Sequence, residues 1–139
     1  MNGSIQRAAN SAAHNSSLPK QERISSRTLI RQLFTGTNRS FSIFPIRIVI
    51  ANINDNSKPT LSVLFSVSTR RFKHAVDRNR VKRQMREAYR KNKHILVDPL
   101  RMQSKQAAVA FLWLDKDHRN SDEINDKIIR LLQLTAERL

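Results

Sequence analysis

The sequence predicts an α+β fold, an α/β sandwich in which helices cover one face of a sheet, and three observations point to it. Segments with helical spacing and β-branched runs follow one another in the order helix, strands, helix, strand, helix. The chain has 139 residues, of which 39% are hydrophobic, a length that suits one domain with its own core. It has no cysteine, which removes a disulfide scaffold, a thiolate metal site and a Cys nucleophile from consideration.

Taken in order, residues 1–20 are rich in Ser, Asn and Ala, lack aromatics and show no periodicity, so a disordered tail is expected, with the domain at 21–139. The tail's single Arg fits a transit peptide poorly, and no basic start leads into an apolar stretch as in a secretory signal. Between Glu22 and Phe34, Ile24, Leu29, Ile30, Leu33 and Phe34 recur at near-helical spacing, with Ser25 or Ser26 as N-cap and Gly36 as stop. Ser40–Ile53 is β-branched and aromatic. Its Pro45 cannot donate to a ladder and should mark a strand start, a bulge or an edge. Asn52–Pro59 reads as a polar turn and Thr60–Ser68 as the next strand, so these two runs are expected to form an antiparallel hairpin.

A basic helix is expected over Ala75–Lys93, closed by Pro99, and a short buried strand over Gln106–Leu114 with Trp113 in the core. The last element, Ser121–Leu139, is an amphipathic helix with Ile124, Ile128, Leu131, Leu132 and Thr135 on one side. Asp122 and Glu123 sit at its positive end, where the helix dipole favours them.

Charge is the first functional fact. Against 26 Lys and Arg stand 11 Asp and Glu, a formal +15 with His neutral. Self-repulsion of that size works against the compact state, and a polyanion relieves it. The longest purely apolar run, Ile48–Ala51, is far short of the ~20 residues of a membrane helix, and no amphipathic or lipidated anchor is visible. A soluble, cytoplasmic protein with a nucleic-acid partner is expected.

The basic residues concentrate in Arg70, Arg71, Lys73, Arg78, Arg80, Lys82, Arg83, Arg86, Arg90, Lys91 and Lys93, opposed locally by Asp77 and Glu87 alone. At ~100° per residue, Val81, Met85, Ala88 and Tyr89 form one apolar arc. Lys82, Arg83, Arg86, Arg90 and Lys93 fall in the adjoining arc, with Asn79 among them. Arg78, Lys82, Arg86 and Arg90 stand at i,i+4 steps, where like charges cost about 0.2–0.5 kcal/mol per pair. An ordinary solvated face interleaves both signs. Phosphate turns this row's repulsion into attraction and releases counterions. Arginine's planar fork also suits bidentate phosphate contacts and base stacking, which fits a folded RNA.

The segment Phe72–Arg90 resembles the protein component of bacterial ribonuclease P. The resemblance rests on Arg78-Asn79-Arg80, then Val81, Lys82-Arg83 and Arg86 along one helix, preceded by Leu64-Phe65-Ser66-Val67-Ser68 and Ala75-Val76. Arg23-Ile24 leading to Leu33-Phe34 and Gly36 extends it over about Arg23–Leu139. It implies a four-stranded, mainly antiparallel sheet with a left-handed crossover containing the basic helix, against the usual right-handed preference. It further implies a subunit that assists a catalytic RNA in removing the 5′ leader from precursor tRNA. By the same implication Mg²⁺ serves the RNA, and the protein alone is expected to bind no cofactor.

By the same resemblance Arg78, Asn79, Arg80, Lys82, Arg83 and Arg86, with Arg90 continuing the row, contact RNA. Phe34, Ile30, Ile48, Ile50, Ser66 and Arg71 are expected to line a leader cleft between the first helix and the sheet. Ile30 stands where the family often has phenylalanine, and ordinary core is the alternative for Ile30, Ile48 and Ile50.

No catalytic or metal-binding constellation emerges from the rest. The acids are scattered, and Asp115-Lys116-Asp117 reads as a turn rather than a two-metal site. His14, His74, His94 and His118 lack metal spacing, and two glycines, Gly3 and Gly36, cannot make a phosphate-cradling loop. A general or ribosome-associated RNA-binding module is the competing reading. A helix-turn-helix DNA binder fits less well, because the basic helix follows a strand and no dimerisation element is visible.

Overall fold

The computed structural model describes Arg23, Arg31, Leu33 and residues 39–54 and 57–139. Two strands, β1 (Arg39–Ile43) and β2 (Ile46–Ile53), are followed by β3 (Leu61–Ser66) and two helices, α1 (Ala75–Asn92) and α2 (His94–Met102). Strand β4 (Gln106–Trp113) and helix α3 (Ser121–Glu137) complete the order. The sheet runs β1-β2-β4-β3; β1·β2 and β2·β4 are antiparallel and β3·β4 parallel. This is the expected four-stranded α+β sheet, antiparallel in two of its three pairings. The parallel pair obliges the chain to cross over between β3 and β4, and that crossover carries α1 and α2.

The expected hairpin is displaced. Ser40–Ile53 is two strands, joined by a turn at the cis Phe44–Pro45 bond, and these two make the antiparallel hairpin. Pro45 has no N–H to give a ladder, which is why the run divides there. Strand β3 pairs with β4 instead of β2, and β4 takes a central position because its run AAVAFLW is apolar on both faces.

Pro99 does not terminate the basic segment; it lies inside α2. The break comes at Lys93, whose carbonyl accepts from Leu96 N at 3.0 Å and Val97 N at 2.9 Å. Leu96 and Leu100, one turn apart, are fully buried, and this anchoring outweighs the backbone hydrogen bond that Pro99 removes. The turn after α2 closes through Lys105 N donating to Leu100 O at 2.9 Å, with Ser104 at φ 53°.

The main core lies between the helices and one sheet face. Ile46, Ile48, Ile50, Val63, Val109, Phe111 and Trp113 meet Val81, Met85, Tyr89, Leu96, Leu100, Ile124, Ile128, Leu131 and Leu132 there. Both expected helix faces are the buried ones: Val81, Met85, Ala88 and Tyr89 on α1, and Ile124 through Thr135 on α3. Asn120 caps α3, its Oδ1 accepting from Glu123 N at 2.8 Å. A smaller cluster on the opposite sheet face joins Leu33, which is helical, to Val49, Ala51, Ala108 and Ala110. The rest of the expected first helix and the tail, with Ser25, Ser26 and Gly36, lie outside the described residues. Arg23 forms a parallel bridge to Val63 on the sheet edge.

The loop from β4 to α3 is held by charge. Arg119 Nε donates to Asp115 Oδ2 at 2.8 Å, its Nη1 donates to Glu123, and its guanidinium lies 5.2 Å from the Phe44 ring centroid. Asp115-Lys116-Asp117 is thus a structural turn, with Asp115 buried and accepting from Asp117 N at 3.2 Å. Burial works against the charge on Asp115, yet the hydrogen bonds from Arg119 and the Asp117 N–H prevail and hold its carboxyl below the ordinary value.

Ile128→Ala should cost about 2–5 kcal/mol in urea unfolding, because the deleted atoms leave a cavity in a closed core. Since the Asp115 carboxyl is depressed in the fold, its stabilisation is complete above the unfolded value of about 3.9 and fades as pH falls through the lower folded value. Asp115→Asn should therefore be less stable at pH 7 and lose less stability on acidification, read from urea midpoints between pH 7 and pH 2.

Candidate nucleic-acid interface

Because α1 seats its apolar stripe on the sheet, the remaining arc is turned away from the core, and its cations differ in what they touch. Arg78 is tied down: Nη1 donates to Phe72 O and to Lys73 O, both at 2.9 Å, fastening the preceding loop to the first turn of the helix. Arg90 is paired, with Nε 3.0 Å from Glu87 Oε1 and Nη2 2.5 Å from Glu87 Oε2. The hydrogen bond between them holds the Glu87 carboxyl down and raises the Arg90 guanidinium further. Lys93, expected in the cationic arc, is buried at the break between α1 and α2.

Between these ends, Arg80, Lys82, Arg83 and Arg86 have no carboxylate within salt-bridge distance among the described residues. Arg80, Arg83 and Asn79 are exposed, Lys82 and Arg86 half-buried. The Nε of Arg86 is covered and has no partner among the described residues. Arg70, Arg71 and Lys73 are exposed on the loop that joins β3 to α1, a loop turned by Arg71 N and Phe72 N donating to Ser68 O at 3.1 and 3.3 Å.

The second surface is the sheet face opposite α1–α3. Pairing registers set its rows across the strands: Ser40–Val49–Ala110–Leu64 and Ser42–Arg47–Leu112–Ser66. The first row belongs to the Leu33 cluster, and the second holds exposed Arg47 and Ser42 with half-buried Leu112 and Ser66. Arg47 Nη2 donates to Ser40 Oγ at 3.1 Å.

The expected cleft residues therefore separate. Ser66 is on the Leu33 face, and Arg71 is exposed just beyond the same strand. Ile48 and Ile50 are on the other face, inside the main core, so their side chains line no cleft beside Leu33. Alternation along β2 is the physical reason, since 47, 49, 51 and 53 face one way and 46, 48 and 50 the other. Phe34 and Ile30 lie outside the described residues. The expected cleft residues do not include Arg47 and Val49 on this face, although one sequence signal points to them: Arg47 is the charged residue in its strand, and it marks the outward parity.

Of the described histidines, His74 and His94 are exposed at helix starts, and His118 bonds Asp77. Among the described residues no three His, Asp or Glu side chains are grouped to hold a metal, and no helix is long and apolar enough to cross a membrane.

Comparison with known proteins agrees with this architecture. The ribonuclease P family profile matches residues 18–133. A ribonuclease P protein component from Porphyromonas gingivalis is 40% identical over 109 residues, covering 78% of this chain and 74% of the relative. One from Chlorobaculum tepidum is 35% identical over 102 residues, 69% of this chain and 66% of that protein. In three dimensions the RNase P protein of Staphylococcus aureus aligns with a TM-score of 0.64 at 17% identity, over 82% of this chain and 94% of that one. The protein from Thermotoga maritima aligns at 0.63 and 18%, over 81% and 96%. With a profile match across most of its length, close relatives in sequence and the same fold, the chain belongs to the ribonuclease P protein family.

Proposed function

We propose that this protein is the accessory subunit of a cytoplasmic ribonuclease P, binding the catalytic RNA through α1 and the 5′ leader of precursor tRNA through the Ser42–Arg47–Leu112–Ser66 row of the opposite sheet face. The observation that carries the reading is the uncompensated middle of the α1 row. Four cations on one rigid helix, with no carboxylate within salt-bridge distance among the described residues, hold their mutual repulsion ready for phosphate. Arg80, Lys82, Arg83 and Arg86, with Asn79, supply the RNA contacts, and Arg90 joins them only from within its pair with Glu87. Arg78 contributes by fixing the loop.

On the sheet, Arg47 gives a phosphate contact and Ser66 a hydroxyl, while Leu112 offers an apolar floor between them. Arg71 stands just beyond Ser66 at the end of the same strand, and the family resemblance alone assigns Phe34 and Ile30 to the leader. Bond breaking belongs to the RNA, with Mg²⁺ held by RNA phosphates. The protein lowers the repulsion between two polyanions and so lowers the Mg²⁺ the complex needs.

Reconstitution tests this directly. With the catalytic RNA of the same organism at low Mg²⁺, the protein should stimulate leader cleavage and should cleave nothing alone. Equal binding of leader-bearing and mature tRNA in the complex would favour the general RNA-binding reading instead. Lys82→Ala and Arg83→Ala should each reduce the salt slope of catalytic-RNA binding by ~1 with thermal stability kept. Arg78→Ala should in addition lose about 1–3 kcal/mol of stability, since two carbonyls lose a charged donor. Arg47→Ala should weaken precursor tRNA relative to mature tRNA while leaving catalytic-RNA affinity unchanged.

A further inference from the structure

We infer that His118 is a positioning residue that draws the Asp77 carboxylate away from the basic row, leaving Arg80 unpaired for phosphate; this rests on the RNA-facing reading of α1. Asp77 immediately precedes Arg78-Asn79-Arg80 in the first turn of α1. On a helix, residues three apart are neighbours, so Asp77 and Arg80 form an acid–base pair waiting to close. It does not close. His118 Nε2 stands 3.0 Å from Asp77 Oδ1, and because a carboxylate only accepts, the proton between them is on Nε2.

The ring is held in that place by contacts that owe nothing to Asp77. It stacks on Phe72 with centroids 4.5 Å apart and planes 21° from parallel. The adjoining backbone is fastened to α1 by Gln84 Nε2, which donates to Arg119 O at 3.1 Å and Ser121 Oγ at 3.2 Å. Arg119 is fastened in turn to Asp115 and Glu123. A fixed donor therefore meets the carboxylate from the side of the β4–α3 loop, whereas Arg80 is exposed and would have to give up solvent and rotamer freedom to reach it. Arg78, the other adjacent cation, is occupied by the Phe72 and Lys73 carbonyls. The loop thus acts on RNA binding without touching RNA.

The experiment measures binding of full-length protein to the transcribed catalytic RNA across a salt series. His118→Phe keeps a ring on Phe72 and removes the donor. It should weaken low-salt binding about three- to tenfold and reduce the salt slope by up to ~1, as Asp77 neutralises Arg80. The double variant Asp77→Asn with His118→Phe should recover wild-type affinity and slope, because asparagine carries no charge to pair. A merely structural role for His118 predicts the opposite, since the double variant disturbs the same packing further. A double variant as weak as His118→Phe overturns the inference. So does an unaffected His118→Phe beside a weakened Arg80→Ala, whereas wild-type protein that fails to bind the RNA at all overturns the functional reading beneath it.

Discussion

The seating of α1 on the sheet is the contact from which the functional surface follows. Val81, Met85, Ala88 and Tyr89 are buried along one stripe, and Tyr89 meets Phe65 edge-on at 5.8 Å and Phe111 at 5.8 Å. Phe65 and Phe111 stack on each other at 5.7 Å, so the helix rests on a continuous aromatic layer. Once that stripe is fixed, the 3.6-residue period leaves the cations no choice of direction. Apolar burial supplies the free energy that a row of like charges works against, and the two are adjoining arcs of a single helix.

The acids near the row are distributed to suit. Glu87 is engaged with Arg90 toward one end of α1, and Asp77 with His118 at the other. Asp115 and Glu123 converge on Arg119, which serves the β4–α3 loop rather than the interface. Negative charge thus brackets the row and leaves its middle bare. A helix designed only for solubility would interleave the signs along its length. The ion pairs here secure the ends of the element and the loop beside it, tasks of position rather than of neutralisation.

Elements with a regular period and one buried face were legible in the sequence. The buried stripe of α1 and that of α3 follow from 3.6-residue spacing, and the strand Gln106–Trp113 follows from its length and apolar content. What could not be read there depends on contacts between distant segments. Local composition cannot say that β4 inserts between β2 and β3, and in a run as apolar as IRIVIANI Arg47 is the one charged residue that marks which parity faces outward. The family resemblance points Ile48 and Ile50 to a cleft, whereas strand alternation puts both in the core, the alternative open to them from the start. Pro99 reads as a stop because propensity treats a proline in isolation, whereas burial of Leu96 and Leu100 sets the outcome. Arg78 and Arg90 look identical to Lys82 in a helical projection, and only the carbonyls of Phe72 and Lys73 and the carboxylate of Glu87 distinguish them.

The two surfaces sit on opposite faces of the sheet, so what joins them matters as much as either. Ser66 ends β3 on the outer face, and within a few residues the chain has turned through Ser68–Phe72 and begun α1 on the inner one. That short passage carries Arg70, Arg71 and Lys73, so positive charge is continuous along the chain from the sheet edge to the helix. Such a loop, repelled by its own charge, would ordinarily splay. Here Arg78 draws the Phe72 and Lys73 carbonyls inward, and Phe72 is clamped beneath the His118 ring. A cation is thereby used to hold together a segment made of cations, by bonding to backbone oxygen instead of a carboxylate. The loop keeps its full positive charge while hydrogen bonds and a ring contact fix its backbone against α1.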